Sequence, residues 1–236
     1  MRHQIVQKPD FSAVRIAFDQ PGEQLVAESS SMLARDTTID MKTQLQGGFL
    51  AAAKRKLLGG ESLFTNTFTS TTPGQSLWLA PAAEGDVEVV ELNGQFGVFL
   101  SSGAFLAAPP SVQIDTKWQG ARGFFSGAGL FLLSATGYGP LFFAAYGGIH
   151  AIDVGPAGYT CDTGHVVGFT NGLTYQVTKV GGLKSLFFSG EGLVCRFSGF
   201  VFLLSTRCRR KTYRRQQQKE AIHVNLFNFQ NYLHVV

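Results

Sequence analysis

The chain is poor in charge: 15% of its 236 residues are Asp, Glu, Lys or Arg, against 44% apolar residues. A disordered chain has the opposite balance, so this composition predicts a folded body. Cysteine is also scarce. Cys161, Cys195 and Cys208 are odd in number and lack C-x-x-C spacing, which argues against a disulfide framework or a zinc ribbon and fits a reducing cytoplasm. Long apolar runs are missing as well. Between Arg122 and Asp153 no Asp, Glu, Lys or Arg occurs, but seven glycines and Pro140 break the stretch. Its longest apolar run is Leu141–Tyr146, far short of the roughly 20 residues a spanning helix needs. The first residues, with Arg2, His3, Gln4, Lys8 and Asp10, lack the apolar core of a secretory signal.

Patterns that carry chemistry are absent too. His3, His150 and His165 are scattered, with no H-x-H, H-E-x-x-H or carboxylate cluster at ligand spacing. His150 and Asp153 come nearest, and on a strand that spacing puts them on opposite faces. No G-x-S-x-G elbow occurs, and Ser126-Gly127 and Ser189-Gly190 read as turns. Gly123 to Gly129 contains a G-x-G, but no phosphate-binding lysine or helix-forming segment follows it. The reading is therefore a non-enzyme with no catalytic, cofactor-binding or metal-binding residue. One alternative stands beside it: Glu91 and Asp153 occupy corresponding positions, and as a cleft pair they would suit a hydrolase of sugars or nucleotides. Otherwise they are strand-end acids facing water.

What the chain does have is 28 Gly and 21 Phe, the profile of many short strands joined by tight turns. Val87–Leu92, Val112–Asp115 and Leu173–Lys179 alternate apolar with polar, which predicts strands with one wet face. Phe99-Leu100, Leu130–Leu133 and Leu141–Phe143 are apolar runs near Gly, Ser or Pro that suit strands buried on both faces. Only Gln46–Leu58 suggests a helix, with a basic turn as the equal alternative. Cys161 and Cys195 fall on predicted strands, where a small buried hydrophobe is the default role.

A phrase recurs: Gly22-Glu-Gln-Leu-Val26, Gly60-Glu-Ser-Leu-Phe64, Gly127-Ala-Gly-Leu-Phe131 and Gly190-Glu-Gly-Leu-Val194. The last three copies are 67 and 63 residues apart, and Gly120–Leu130 lies over Leu183–Leu193 at a constant offset of 63. Upstream, Val89–Leu92 resembles Ala151–Val154, and Ser102–Leu106 resembles Thr163–Val167. This predicts internal repeats, with full units at about 57–120 and 123–182 and partial units at each end. Glu23, Glu61 and Glu191 are expected to play a structural part, binding the amides of their own turns or a neighbouring repeat. Residues 1–207 then form a single β-sandwich domain.

Residues 207 to 220 carry Arg207, Arg209, Arg210, Lys211, Arg214, Arg215 and Lys219 against Glu220, a net of +6 in a chain of +4. The basic character therefore belongs to an extension, 208–236, which ends in Ile222, Val224 and Leu226 alternating with polar residues, as a terminal strand would. Such a run binds phosphate, a lipid surface or RNA in one reading, and is a solvated face in the other.

Met41–Gly48 through Lys54–Phe64, together with Ser189–Gly199, resembles the altered inheritance of mitochondria protein 24 family, a former domain of unknown function described as tryptophan RNA-binding attenuator protein-like. The resemblance covers roughly residues 3 to 207. It implies a double-stranded β-helix or jelly-roll-like sandwich, homo-oligomers with a trimer among them, and no established catalytic residue. It also implies an assembly or scaffolding role tied to membrane organisation through an unidentified protein partner. RNA binding does not follow from a fold label. The expected location is the cytoplasm of a bacterium, or the mitochondrion if the source is eukaryotic.

Overall fold

Alternation of apolar and polar residues lets an extended chain bury one face, and these stretches do so by pairing edge to edge. The structure is a computed structural model that describes residues 1–45, 64–117, 132–179, 193–199 and 201–205. Among these residues the chain is all β, in antiparallel sheets, with two 3-10 turns and no α-helix. All of them lie within one unit, Met1–Thr206.

A leading strand, β1 (Arg2–Val6), is followed by three consecutive groups. The first holds β2 (Ala13–Ala17), β3 (Gln24–Glu28), β4 (Met32–Arg35), β5 (Asp40–Leu45), β6 (Phe64–Thr69) and β7 (Ser76–Leu79). The second holds β8 (Gly85–Asn93), β9 (Val98–Ser101), β10 (Phe105–Ala108), β11 (Val112–Lys117) and the long β12 (Leu132–Tyr146). The third holds β13 (Ile149–Asp153), β14 (Tyr159–Asp162), β15 (Val166–Thr170), β16 (Thr174–Lys179), β17 (Leu193–Ser198) and β18 (Val201–Ser205).

The same four antiparallel pairings occur in each group. In the first, β2 and β4 pair with β7, while β3 and β5 pair with β6. In the second, β12 plays both partners: β9 and β11 pair with its first half, β8 and β10 with its second. In the third, β13 and β15 pair with β18, and β14 and β16 with β17. One further pairing joins each group to the group before it, third strand against second: β10 with β3, and β15 with β9. A register shift falls at the matching place in all three third strands, between Met32 and Ala34, Phe105 and Ala107, and Val166 and Gly168. Such a bulge re-aims the residue it inserts.

Why β12 can serve two sheets is written in its middle. Gly137 and Gly139 both sit at φ +118, a conformation that L side chains rarely adopt, and Pro140 offers no amide to a ladder. The strand turns there, exchanging β11 for β8 as its neighbour. Two separate apolar runs in the sequence therefore become one strand.

Three apolar clusters fill the spaces between the sheets. The first packs Val14, Ile16, Leu25, Phe68, Leu77 and Leu79 of the first group against Val87, Leu106, Ala107 and Phe142 of the second. The second packs Leu100, Phe105, Leu133, Leu141 and Phe143 with Val167 of the third group. The third is built on Phe169, whose ring lies 5.2–5.4 Å from those of Phe99, Tyr175 and Phe197. Adjacent Phe142 and Phe143 enter different clusters, as expected of a strand buried on both faces.

The expected strands lie where the alternation placed them, in β8, β11 and β16. The candidate helix Gln46–Leu58 and most of the recurring phrase lie outside the described residues. The copy at Gly22 leads into β3, whose partners match those of β9 and β14. The other three copies lead into β6, β12 and β17, which hold a different place in the pairing pattern, so the first copy is a likeness of wording only.

Leu33 and Leu106 occupy the same bulged position in β4 and β10, yet Leu106 is 0% exposed and Leu33 63%. Leu106→Ala is expected to cost about 2–5 kcal/mol in urea unfolding, and Leu33→Ala within about 0.5 kcal/mol in the isolated chain.

Candidate functional site

The three groups begin side by side. Phe11 bridges Gly85 and Gly85 bridges Gly147, both in parallel sense, where β2, β8 and β13 start. The amide of Ser12 donates to the Gly85 carbonyl at 2.9 Å, and that of Asp86 to the Gly147 carbonyl at 3.1 Å. A Cβ on Gly85 would fall 1.9 Å from the Ala145 carbonyl oxygen, so the approach requires glycine.

This convergence buries a carboxylate. Asp86 is 3% exposed, and a charge so placed must be hydrogen-bonded to persist. Its Oδ1 accepts from Ser12 Oγ at 3.0 Å and from the Val87 amide at 2.9 Å, while Oδ2 accepts from the Ile149 amide at 3.3 Å. One side chain thus ties together residues of all three groups. Lys8 Nζ lies 3.8 Å from Asp86 Oδ1 and also donates to Glu88, which is largely buried. Burial pushes both carboxyls above their ordinary values, opposed by the Lys8 ammonium and the surrounding donors. With its lone pairs engaged, Asp86 suits a clamp better than a general base.

A second acidic feature behaves as the sequence implied. Glu23 Oε2 accepts from the Asp19 amide at 2.6 Å and the Gln20 amide at 3.3 Å, closing its own turn. Its Oε1 accepts from the Met1 amine at 2.7 Å. Although burial opposes it, these donors together lower the Glu23 carboxyl below its ordinary value; hydrogen bonds from the amine and from Arg2 do the same for Asp19. Glu61 and Glu191 lie outside the described residues.

The two candidate cleft carboxylates hold matching places. Glu91 is opposite Pro140 on β8, Asp153 is opposite Val201 on β13, and both are exposed. Arg207, Arg209, Arg210, Lys211, Arg214 and Arg215 lie outside the described residues. Cys161 and Cys195 are free, buried and directly opposite each other on β14 and β17, and burial pushes both thiols up to about 12. At that value they are protonated, unreactive core residues. Among the described residues no group of three or more His, Cys, Asp or Glu could hold a metal ion, and no helix is long and apolar enough to cross a membrane.

Sequence reasoning missed Asp86 and its Lys8–Glu88 neighbours. An acid before an alternating strand looks the same whether its carboxylate ends in water or under three strands. The only local mark was Gly85, whose small size permits the approach.

The pH dependence follows from these shifts. Asp19 and Glu23, lowered when folded, add stability as pH rises toward the ordinary values of 3.8 and 4.5. Asp86 and Glu88, raised when folded, hold their protons more readily in the native chain, so stability is lost as pH climbs above those ordinary values. Thermal melts from about pH 4.5 upward are expected to show a falling Tm in the native chain. The fall should be clearly flattened in a variant carrying Asp86→Asn and Glu88→Gln, and an equal slope in both would contradict this assignment.

Comparison with known proteins places this architecture. An uncharacterised protein of Streptococcus pyogenes serotype M6 is 30% identical over 207 residues, spanning 84% of this chain and 82% of that protein. The crystal structure of the protein SPYM3_0169 from Streptococcus pyogenes superimposes with a TM-score of 0.71 at 26% identity, covering 92% of this chain and 98% of that one. The family model described as mitochondrial biogenesis AIM24 matches residues 3–205, almost the whole of the three strand groups, and the chain belongs to that family.

Proposed function

We propose that this protein is a non-catalytic assembly or scaffold protein that works by presenting strand edges and faces to other polypeptides, with further copies of itself among them. The observation that carries the reading is the exposed apolar strand β4. Met32 is 40% exposed and Leu33 63%, and Ala34 is exposed as well. Large exposed side chains grouped on one strand mark an interaction surface more often than a neutral one.

The architecture fits a structural role. The recurring pairings support one ancestral unit used three times, each copy a small sandwich of the double-stranded β-helix or jelly-roll kind, in a period that the sequence offsets of 63 and 67 also carry. A chain of such units provides edges and flat faces, and in this reading the buried polar groups hold the body together. The place of work is the bacterial cytoplasm, or the mitochondrion in a eukaryote, and the link to membrane organisation runs through a protein partner.

Two other readings make different demands. A hydrolase using Glu91 and Asp153 needs both carboxylates in one enclosed cleft, whereas both are exposed. A binder of anions, lipid surfaces or RNA would act through Arg207 to Arg215.

Sedimentation velocity of the purified chain is expected to show oligomers at micromolar concentration, with a trimer among the expected species. Monomers alone at every concentration would defeat the reading. Removal of residues 208–236 is expected to leave association unchanged, and neither protein should bind anionic liposomes or RNA strongly at physiological salt. Strong binding by the full chain alone would favour the basic extension instead.

A further inference from the structure

Two joints inside the chain follow one rule, and the rule leaves one pair of strands unmatched. The third strand of each later group lies antiparallel to the second strand of the group before it: β10 on β3, β15 on β9. Among the described residues no group precedes the first, and its third strand, β4, pairs only with β7 and is outermost in the sheet β1-β2-β7-β4. Among the same residues no group follows the last, and its second strand, β14, is outermost in the sheet β14-β17-β16.

The face beside the β4 edge is unfinished in the same sense. In the second group, Leu106 on β10, Val89 on β8 and Phe142 on β12 cover the apolar cluster of the group before. The register of pairing gives their counterparts in the first group as Leu33, Arg15 and Trp78. Leu106 and Phe142 are 0% exposed, whereas Leu33 is 63% exposed, Arg15 is exposed and Trp78 is half-buried. The described residues therefore do not supply the missing predecessor. Other outer strands carry the usual protection against edge pairing. β5 has Asp40 and Lys42, and β16 has Thr174, Gln176 and Lys179. β4 reads Met-Leu-Ala-Arg, with no proline and no lysine, and its one charge, Arg35, is engaged with the backbone carbonyls of Asp36, Thr37 and Ile39.

We infer that β4 of one copy receives β14 of a second copy, so that the chains join head to tail by the same strand pairing that joins their own groups. The proposal rests on the assembly reading above and names its surface. The internal joints set the register. Gly168 faces Leu100, and the 61-residue offset between the two 3-10 turns, Ser102–Ala104 and Thr163–His165, carries Leu100 onto Cys161. Ala34 holds the place of Gly168, so Ala34 faces Cys161 of the second copy and Arg35 faces Thr160. Because the two edges differ, the contact is heterologous, and it builds a closed ring or an open series rather than a two-fold dimer.

The full chain is compared with Leu33→Asp by sedimentation velocity over a concentration series, with circular dichroism melts of both. Position 33 is exposed in the single chain, so the variant is expected to melt with the native protein while its self-association weakens at least tenfold. In a second arm, a Cys208→Ser chain carrying the facing pair Arg35→Cys and Thr160→Cys is treated with a short bismaleimide beside each single variant. Products linked between chains in the double variant support the inference. A link formed only within one chain would mean that β14 closes on its own β4, and overturns it. If the native protein associates and Leu33→Asp associates equally well, the edge is wrong while assembly stands. If the native protein is monomeric throughout, both fall.

Discussion

No group of strands here can bury itself. Each has two strand sets, and in the second group the outer face of the set that holds its first, third and last strands is apolar and packs on a neighbour. In the second group that face presents Val89, Leu106 and Phe142 to the cluster beneath the first group, while Leu92, Phe105 and Phe143 on the opposite side fill the group's own core. Strands that are apolar on both faces are stable only between two other layers, as in sheets covered on each side. The interdependence accounts for Leu141-Phe142-Phe143 having no polar alternation, and for β12 passing through the middle of the molecule.

The same crowding explains the polar junction. Three strands that start in register leave equivalent positions at Ser12, Asp86 and Gly148, where the chain offers a hydroxyl, a carboxylate and a hydrogen atom. Three carboxylates there would repel one another in a dry site. Three glycines would leave amides without acceptors. One Asp flanked by smaller residues satisfies the donors from both neighbours with a single buried charge, and Lys8 approaches to offset it. The cost is pH sensitivity, and the perturbed carboxyl sits at a joint between strand groups.

How much of this could be read in the residues follows from which interactions are local. The strands of β8, β11 and β16 were legible because one wet face forces alternation, and Glu23 was legible because a turn amide lies within a few residues of its acceptor. Gly-rich wording near strand starts put Gly22 in the same class as Gly60, Gly127 and Gly190. Pairing separates them, because a strand's place in a sheet depends on partners far along the chain, as Val26 of β3 lies opposite Ala108 of β10. Asp86 itself was illegible for the same reason: its burial is made by strands that its own neighbours do not encode. Glu91 and Asp153 were rightly seen as counterparts, since equivalence is a matter of register, but register carries no information on whether two counterparts meet.

Arrays of units that bury one another must end somewhere, and ends are normally closed by polar strands or caps. One such cap is present: β1 lies along β2 in the first group, with Arg2, His3 and Gln4 exposed, and among the described residues no counterpart lies along β8 or β13. It closes the side of the sheet away from β4. The opposite side of that sheet, three strands over, is left with Met32, Leu33 and Ala34 in water. Capping one edge while leaving the other apolar is not what a chain shaped only for solubility would do, since a lysine or proline in β4 would have closed the second edge at little expense. The asymmetry leaves one edge of that sheet closed by polar residues and the other, β4, apolar.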